Sequence, residues 1–472
     1  MLEIEYITFA GVVLIIAELL GLIFALDAVM RPRSAQGTIA WFIALITFPL
    51  ITVPLYVLLG RTRFHGYAEA IRDKESLIGE RWKAWFSDMN ILAAKPQKQL
   101  SAIANVTWSL TKVPFTRSNG VELLIDGEST YRAMLDAIAI AESYVFIQFY
   151  IVRDDASGRR IRDALIEKAH AGVRVYFLYD EIGCIKLPDS YLESMRKESI
   201  EVSGFKTTKG RNNRFQINFR NHRKLLIIDG KVSFIGGHNL GDEYLEYRDT
   251  HMRIDGPATQ QVQLTFLKDW FWATGEIPPS NQKPEIVTTN NQAVTIVNTG
   301  PADNNASCSL LFITLINMAR NRLWITSPYF VPDDVLVLAL QAAALRGVDV
   351  RILLPDKADH KLVELASFTY YTNMTNCGVK LYRYRDRFMH QKVILIDNSL
   401  AGIGTVNLDN RSIYLNFEAM GLVADEAFAK QVESMLHADF NSSEEVQSAH
   451  FDEKPFWFQV SARVARLASP LL

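Results

Sequence analysis

The hydrophobic pattern of the chain changes once, after about sixty residues. Before this change, Ile7–Leu26 contains 20 residues with Glu18 as its only charge, and Ile39–Leu59 contains 21 residues without any charge. Each run is long enough to cross a bilayer core of about 30 Å, so the pattern predicts two transmembrane helices. Pro49 and Pro54 interrupt the second run, which membrane helices tolerate when neighbouring groups satisfy the freed carbonyls.

A cleaved signal peptide is the alternative for the first run. Acidic residues precede this run, and no small-residue cleavage pattern follows it, so we expect it to stay in the protein. Basic residues are more numerous after the second run than between the two, which favours a cytoplasmic position for the rest of the chain. They are Arg31 and Arg33 between the runs, and Arg61, Arg63, Arg72 and Lys74 after them.

After these runs, short apolar stretches alternate with stretches of helical spacing, and the order repeats. YVFIQFYIVRDD (144–155) is followed by a helical stretch and AGVRVYFLYD, whereas LWITSPYFVPDD (323–334) is followed by a similar stretch and RGVDVRILLPD. The repeat predicts an α/β fold of two similar halves, each with a mixed, largely parallel sheet covered by helices. The predicted segments are a transmembrane hairpin at 1–63, a linker with a membrane-interfacial position as one option at 64–110, a first half at 111–290 and a second half at 291–472.

A motif with identical spacing occurs once in each half. Both copies contain a histidine, a lysine two positions later, an aspartate seven positions later and an asparagine 17 positions later. These residues are His222, Lys224, Asp229 and Asn239 in the first half, and His390, Lys392, Asp397 and Asn407 in the second. Because a chance match of this length is improbable, we treat the motif residues as candidates for the active site.

The residue types of the motif suit phosphoryl transfer. Alternate side chains of an extended strand share a face, so each histidine and its lysine would point into one pocket. A neutral imidazole can attack phosphorus while a second histidine protonates the departing oxygen. The lysines and asparagines would stabilise charge on the phosphoryl oxygens, so the scheme requires no metal or other cofactor.

Two further histidines, His238 and His251, have no partner in the repeat. Packing is the expected role for both, with substrate contact as the smaller alternative. A metal site that combines them with His222 matches no familiar ligand spacing.

The two motifs resemble the signature of the phospholipase D superfamily, H-x-K-x4-D in two copies that meet at one site. Within this superfamily the chain is similar to the bacterial cardiolipin synthases over almost its full length. The matching segments are RPRSAQGTIAWF, NFRNHRKLLIIDG, YRDTHMRIDGP, SPYFVPDD and HQKVILIDNSLAGIGTVNLDNRSIYLNFE. The resemblance implies transfer of a phosphatidyl group between two phosphatidylglycerol molecules with release of glycerol, through a phosphatidyl-histidine intermediate. It also implies a multi-pass protein of the bacterial inner membrane.

The same resemblance assigns roles to individual residues. One motif histidine is the nucleophile and the other is the general acid and later the base; we take His222 as the nucleophile, although the repeat makes the two nearly equivalent. Glu418, 28 positions after His390, matches a family carboxylate that orients a histidine ring. The same offset in the first half falls on Thr250, so Asp249, one position earlier, is the candidate for the equivalent carboxylate.

The motif aspartates, Asp229 and Asp397, receive a different role from the resemblance. They are expected to brace the backbone of the site rather than to contact substrate.

Charge adds a local pattern that the formal net charge of -2 conceals. This net charge gives no general attraction to nucleic acid, which we therefore do not expect as a partner. Between Lys206 and Lys224 there are seven basic residues and no acidic one. Each basic group near an anionic bilayer is worth about 1 kcal/mol, so phosphatidylglycerol and the anionic membrane surface are the expected partners, with a solvated loop as the equal alternative. The candidates for headgroup binding are Arg214, Arg220 and Arg223.

Aromatic and cysteine residues give weaker signals. Two aromatic clusters suit a lipid interface, although core packing is the commoner role of such residues. They are Trp82, Trp85 and Phe86, and Phe456, Trp457 and Phe458. The three cysteines are far apart in the sequence and are expected to be free buried thiols.

Other functions stay open from the sequence. A hydrolase of the same superfamily would use water as the acceptor, and a related transferase would use another alcohol. A non-catalytic membrane scaffold is disfavoured by two intact motifs. One chain supplies both halves of the site, so catalysis does not require a homodimer, although the hairpin could form one.

Overall fold

The computed structural model describes residues 2–31, 34–61, 63–64, 66–71, 85–94, 97–209, 216–281, 283–286, 290–446 and 452–472. The chain divides into two compact units. The smaller comprises Met1–Ala68 and Thr207–Phe219, and the larger comprises Glu69–Lys206 and Arg220–Leu472. The predicted second half lies in the larger unit, and so does the first half except for Thr207–Phe219, the segment that leads to His222.

The smaller unit contains helices α1 (Leu2–Met30), α2 (Ala35–Thr47) and α3 (Pro49–Leu59). Among the described residues, one helical segment, Phe9–Met30, is by itself long and apolar enough to cross a membrane. The second predicted span is divided between α2 and α3 at Phe48, whose φ of -132° and ψ of 55° are not helical. Proline disfavours helical geometry at the residue before it, so Pro49 explains the break.

Helices α2 and α3 both pack against α1. A Cβ atom at Gly21 would lie 2.4 Å from the carbonyl oxygen of Leu45, so glycine permits a close approach of α1 to α2. The Tyr56 hydroxyl donates to Asp27 (2.9 Å), which also pairs with Arg31 (2.6 Å). These contacts fix the helices of the smaller unit against one another.

The larger unit is a mixed α/β structure. Its strands are β1 (Thr116–Ile125), β2 (Tyr144–Phe149), β3 (Arg174–Asp180), β4 (Glu201–Phe205), β5 (Arg220–Asn221), β6 (Leu225–Ile228), β7 (Val232–Gly236), β8 (Thr250–Asp255), β9 (Gln292–Thr299), β10 (Arg322–Thr326), β11 (Phe330–Val331), β12 (Asp349–Pro355), β13 (Lys380–Tyr384), β14 (Val393–Ile396), β15 (Leu400–Gly404), β16 (Leu408–Asp409), β17 (Asn416–Ala424) and β18 (Ser443–Glu445). Its helices are α4 (Ser101–Thr111), α5 (Asp126–Ala139), α6 (Ala156–His170), α7 (Asp189–Lys197), α8 (Thr259–Thr274), α9 (Ser307–Met318), α10 (Asp334–Leu345), α11 (Lys361–Thr375), α12 (Glu426–Asn441) and α13 (Phe456–Arg466).

One sheet runs through both halves, and the strand order shows the repeat. The first half has the order β4-β3-β2-β6-β7-β8-β1, and the second has the equivalent order β13-β12-β10-β14-β15-β17-β9. Strands β1 and β9 pair antiparallel and join the halves. The mixed sheet is confirmed. Strands β2-β3-β4 and β10-β12-β13 are parallel, whereas the motif strands return as antiparallel hairpins.

Helices cover both faces of the sheet in each half. In the second half, Leu323 and Ile325 belong to the core that includes α9, α10 and α11. Trp324, between them, packs its ring at 5.3 Å from that of Phe440 on α12. Adjacent residues of a strand point to opposite faces, so α12 covers the face opposite α10 and α11.

At β2 and β10, the structures of the two halves align with an offset that differs by one residue from the alignment of the two quoted sequence segments. Asp155 caps α6 by accepting from the backbone of Gly158, and Asp333 caps α10 by accepting from that of Leu336. Alignment of YVFIQFYIVRDD with LWITSPYFVPDD pairs Asp155 with Asp334 instead. The shift arises because the apolar runs match equally well in either register.

Candidate active site

The motif aspartates lie at the turns that connect the paired motif strands. Both have left-handed backbone, with φ of 53° at Asp229 and 49° at Asp397, which aspartate tolerates better than most residues. The Asp229 carboxylate accepts the backbone N–H groups of residues 142–144 at 2.7–2.8 Å. Asp397 accepts those of residues 320–322 in the same way. The two side chains therefore hold the starts of β2 and β10.

The first motif histidine is fixed by the second half. The backbone N–H of His222 donates to the carbonyl of Phe417 at 2.9 Å. Its ring Nδ1 lies 2.9 Å from Oε2 of Glu418, the next residue. Strand β5 pairs in parallel with the start of β17, which places these groups side by side.

The second motif histidine is fixed by the first half in the same manner. The backbone N–H of His390 donates to the carbonyl of Arg248 at 2.9 Å. Its ring Nδ1 lies 2.6 Å from Oδ2 of Asp249. The His–carboxylate pairs are thus crossed, since each half orients the histidine of the other. The sequence predicted both carboxylates but could not show which histidine each one orients.

In sequence, Asp249 is one residue closer to His222 than Glu418 is to His390. The connections between the paired strands explain this difference. The last glycine of β7, Gly236, pairs with His251, and that of β15, Gly404, pairs with Met420. Each carboxylate lies two residues before the paired residue. The connection in the first half is one residue shorter, so Asp249 and Glu418 are structurally equivalent.

The two carboxylates have different surroundings. The Thr405 hydroxyl donates to Glu418, and the Asn416 amide donates to it at 3.0 Å. Gly237 occupies the position equivalent to Thr405, and a Cβ atom there would lie 2.0 Å from the Asp249 carboxylate. The shorter aspartate thus depends on the missing side chain of Gly237. Neither Thr405 nor Gly237 was identified from the sequence, although each lies two residues before a motif asparagine, Asn407 or Asn239.

The motif lysines are fully buried. Each ammonium group donates to the carbonyl of its own motif histidine, Lys224 to His222 at 2.7 Å and Lys392 to His390. Burial lowers the pKa of Lys224 to about 7 and that of Lys392 to about 8, although the nearby site carboxylates partly offset this effect. The charge of Lys392 also lowers the pKa of Lys224. The crossed His–carboxylate contacts place the two motifs at one site.

Burial also lowers the pKa of both motif histidines. The ammonium groups of Lys392 and Lys224 lower that of His390 further, whereas Glu418 partly offsets the burial of His222. Burial by itself would raise the pKa of Glu418, but the charges of His222 and Lys224 outweigh it and keep that carboxyl ionised. Without substrate, the site therefore favours neutral imidazoles, and Glu418 stays ionised beside His222.

The motif asparagines are buried. Asn239 accepts the backbone N–H of Ile151 at 3.2 Å. The Asn407 side chain hydrogen-bonds to Asp409, and its Oδ1 has no partner among the described residues. Both amides are thus oriented by neighbouring groups of the site.

Aromatic rings form part of the site wall and were not identified from the sequence. The Tyr150 ring packs edge-on against His222, with centroids 4.9 Å apart, and Lys224 lies 5.4 Å from the same ring. The Tyr247 ring lies 5.7 Å from that of His390. Tyr247 belongs to the segment YRDTHMRIDGP, so proximity to Asp249 was the available signal.

The basic segment between residues 206 and 224 does not form one surface patch. Arg223 is buried and donates twice to Asp269, at 2.7 and 2.8 Å, and also to the carbonyl of Glu418. This burial corrects the expectation that Arg223 binds headgroups, because its guanidinium already holds α8 against the site. Arg220 is half-buried in β5, two residues before His222. Arg214 lies outside the described residues.

The remaining histidines, His238 and His251, are buried behind the site. Burial lowers the pKa of His238 to about 4, so its ring is neutral. Their ring centroids are 5.9 Å apart. Over the described ranges, no group of three or more His, Cys, Asp or Glu side chains is arranged to hold a metal ion.

Comparisons with known proteins agree with this geometry. Residues 134–270 and 312–440 match the family described as "Cardiolipin synthase, PLD-like domain", and residues 19–61 match "Phospholipase_D-nuclease N-terminal". The chain is 43% identical to cardiolipin synthase A of Pseudomonas aeruginosa, over 98% of this chain and 96% of that protein. It is 42% identical to cardiolipin synthase A of Pseudomonas fluorescens, over 98% of both.

A solved structure shares the fold at low sequence identity. The phosphatidylserine synthase of Haemophilus influenzae Rd KW20 superimposes with a TM-score of 0.59 and 15% identity, over 80% of this chain and 100% of that one. A likeness at this identity shows the architecture alone.

Proposed function

We propose the following chemistry from the premise that this chain belongs to the cardiolipin synthase family of the phospholipase D superfamily. The chain is a phosphatidyltransferase of that superfamily. The proposed reaction transfers the phosphatidyl group of one phosphatidylglycerol to a hydroxyl of another, which yields cardiolipin and glycerol. The crossed His–carboxylate pairs carry this proposal, because they supply two oriented imidazoles at one site.

In the first proposed step, Nε2 of His222 attacks phosphorus, and the bond from phosphorus to the glycerol oxygen breaks. Glu418 holds Nδ1 and thereby leaves the Nε2 lone pair for the attack. Binding of the anionic phosphodiester offsets the burial and the two ammonium charges that lower the pKa of His390, so the substrate complex contains His390 as the imidazolium. This imidazolium gives its Nε2 proton to the departing glycerol, and Asp249 stabilises its charge. Lys224 and Lys392 offset the negative charge on the phosphoryl oxygens.

In the second proposed step, neutral His390 removes the proton from a hydroxyl of the acceptor phosphatidylglycerol. The oxygen attacks phosphorus, and the bond between phosphorus and His222 breaks. The enzyme thus returns to its starting protonation state. Transfer to water would instead give phosphatidic acid, which defines the hydrolase alternative.

The membrane arrangement is part of the proposal. Helices α2 and α3 contain 13 and 11 residues, and at 1.5 Å per residue they would reach about 36 Å, which exceeds a hydrocarbon core of about 30 Å. We therefore retain a multi-pass protein of the inner membrane, with the larger unit on the cytoplasmic side. Arg220 is the remaining described candidate for headgroup binding. A homodimer is not required by the chemistry, because both histidines come from one chain.

The products formed from one lipid test the reaction. Purified protein in detergent is incubated with phosphatidylglycerol alone, and the lipid and water-soluble products are identified by mass spectrometry. Equal amounts of cardiolipin and glycerol are expected. Phosphatidic acid with glycerol, without cardiolipin, would show that water is the acceptor and would overturn the transferase assignment.

A further inference from the structure

Helix α13 exposes an apolar stripe to solvent. Its inner face packs on α11, where Phe458 lies 5.2 Å from Phe368 between ring centroids. On the outer side, Phe456 and Trp457 are 69% and 75% exposed, and Val464 is 60% exposed. Two adjacent exposed aromatic residues at the start of a helix are costly in water and are typical of a membrane interface.

A second exposed stripe lies on α10. Leu336 and Leu340 are buried, whereas Val335, Leu338 and Leu345, at helical spacing, are 52%, 64% and 72% exposed. The opposite face of α10 therefore presents large apolar residues to solvent. One such residue would be ordinary, but a stripe of them marks an interaction surface.

The two stripes adjoin. Arg466, in the last turn of α13, pairs with Asp334, in the first turn of α10, at 3.7 Å. The residues that follow these two in the sequence, Leu467 and Val335, are both exposed and apolar. The ion pair thus brings the end of one stripe to the beginning of the other, and together they form the surface we call the α10–α13 face.

A basic groove lies at the far end of α10. This cavity of about 550 Å³ is lined by Lys98, Arg320 and Arg346, and no acidic side chain contributes to its lining in the part of the chain that the structure describes. Arg346 directly follows Leu345, the last member of the α10 stripe. The α10–α13 face therefore begins at the exposed aromatic residues of α13 and ends next to the basic groove.

We propose that the α10–α13 face is a second membrane contact, which inserts its apolar residues at the surface of an anionic bilayer while the basic groove binds lipid phosphates. Apolar side chains with Trp and Phe suit the acyl–headgroup boundary, and each cation near an anionic surface adds about 1 kcal/mol. A second copy of this chain would cover the apolar residues but would not explain the cations. The inference does not depend on the proposed chemistry.

The test places an environment-sensitive fluorophore on the full chain in lipid nanodiscs. Cys184 and Cys308 are buried, so Cys377→Ser leaves a background suited to labelling. Single cysteines are introduced as Trp457→Cys or Leu338→Cys. The control is Lys430→Cys, since Lys430 is exposed on α12, which covers the opposite face of the sheet.

Nanodiscs that contain phosphatidylglycerol and spin-labelled acyl chains should quench positions 457 and 338 and leave position 430 unquenched. Lys98→Gln combined with Arg320→Gln should reduce this quenching towards its value in zwitterionic nanodiscs. Equal quenching at all three positions would overturn the proposal. A blue shift at 457 and 338 without quenching by the lipid probe would also overturn it, because it would indicate a protein partner such as a second copy.

Discussion

The two sides of the active site have the same plan but different supporting residues. His222 is oriented by Glu418, which Thr405 and Asn416 also contact. His390 is oriented by Asp249, which needs the space that Gly237 leaves. The difference shows that the repeat preserves the positions of imidazole and carboxylate, while the contacts around them have diverged. We expect the two histidines to have different roles in one reaction.

A second difference concerns the buried arginines. Arg223 pairs with Asp269 inside the first half. In the second half, Asp439 is equivalent to Asp269, but it pairs with Arg248, which belongs to the first half. Breaking a buried ion pair leaves an uncompensated charge and typically costs about 3–5 kcal/mol. The Arg248 pair thus holds the two halves together next to the crossed histidine.

Removal of either histidine should have the largest effect on activity. His222→Ala and His390→Ala are each expected to lower turnover by about a thousandfold or more, because each step needs both groups. His170→Ala, at an exposed histidine that pairs with Glu198, is the matched control and should retain activity. Circular dichroism and membrane fractionation check that the variants fold. Near-normal turnover in either site variant would contradict the two-histidine scheme.

Substitution of each carboxylate should distinguish the nucleophilic histidine from the histidine that acts as general acid. Glu418→Gln and Asp249→Asn are each expected to lower turnover of phosphatidylglycerol by about a hundredfold or more, since each misorients a histidine. A substrate with p-nitrophenol in place of glycerol needs no protonation of its leaving group. Initial release of p-nitrophenol should therefore recover in Asp249→Asn but not in Glu418→Gln. Recovery in Glu418→Gln alone would reverse the assignment of nucleophile and acid.

The residues behind the carboxylates should give a smaller and unequal effect. Gly237→Ala forces Asp249 to move, so its activity should fall between about tenfold and a hundredfold. Thr405→Val removes one hydrogen bond to a charged group and keeps the shape, so a loss of about tenfold is expected. Steady-state kinetics of both variants provides the comparison. A larger loss in Thr405→Val than in Gly237→Ala would contradict the placement of Asp249.

The lowered pKa values of Lys224 and Lys392 predict that activity falls as the pH rises. Their pKa values are lowered to about 7 and about 8, so both are charged below this range and neutral above it. Because the charged form stabilises the phosphoryl oxygens, activity should fall by about tenfold between pH 7 and pH 9. In Lys392→Met, at lower overall activity, the fall should move to higher pH, since Lys392 no longer lowers the pKa of Lys224. A rise in activity over this range would contradict the role of the ammonium groups.

Much of this organisation could be predicted from the sequence. The motif spacing identified the histidines and lysines of the site and the aspartates that hold β2 and β10. The family resemblance identified Glu418, and Asp249 was predicted one position before the offset that Glu418 gives. Their catalytic roles stay predictions. The repeat could not reveal the crossed pairing, because pairing across the halves depends on how β5 and β17 meet in space.

The remaining differences have local physical causes. Arg223 looked like part of a basic surface because its partner Asp269 is 46 residues away in the sequence. The second apolar run looked like one helix, whereas Phe48 before Pro49 divides it. In both cases the deciding feature, a side-chain contact or a backbone angle, depends on the three-dimensional structure.

The most direct test of the central claim uses His390→Ala with the p-nitrophenol substrate. This variant can form the intermediate without an acid but lacks the base that activates the acceptor. We expect a burst of one p-nitrophenol per chain, and mass spectrometry of peptides from an alkaline quench should locate the phosphatidyl group on His222. His222→Ala should show no burst. The absence of a burst in His390→Ala, or an adduct on any other residue, would contradict the mechanism.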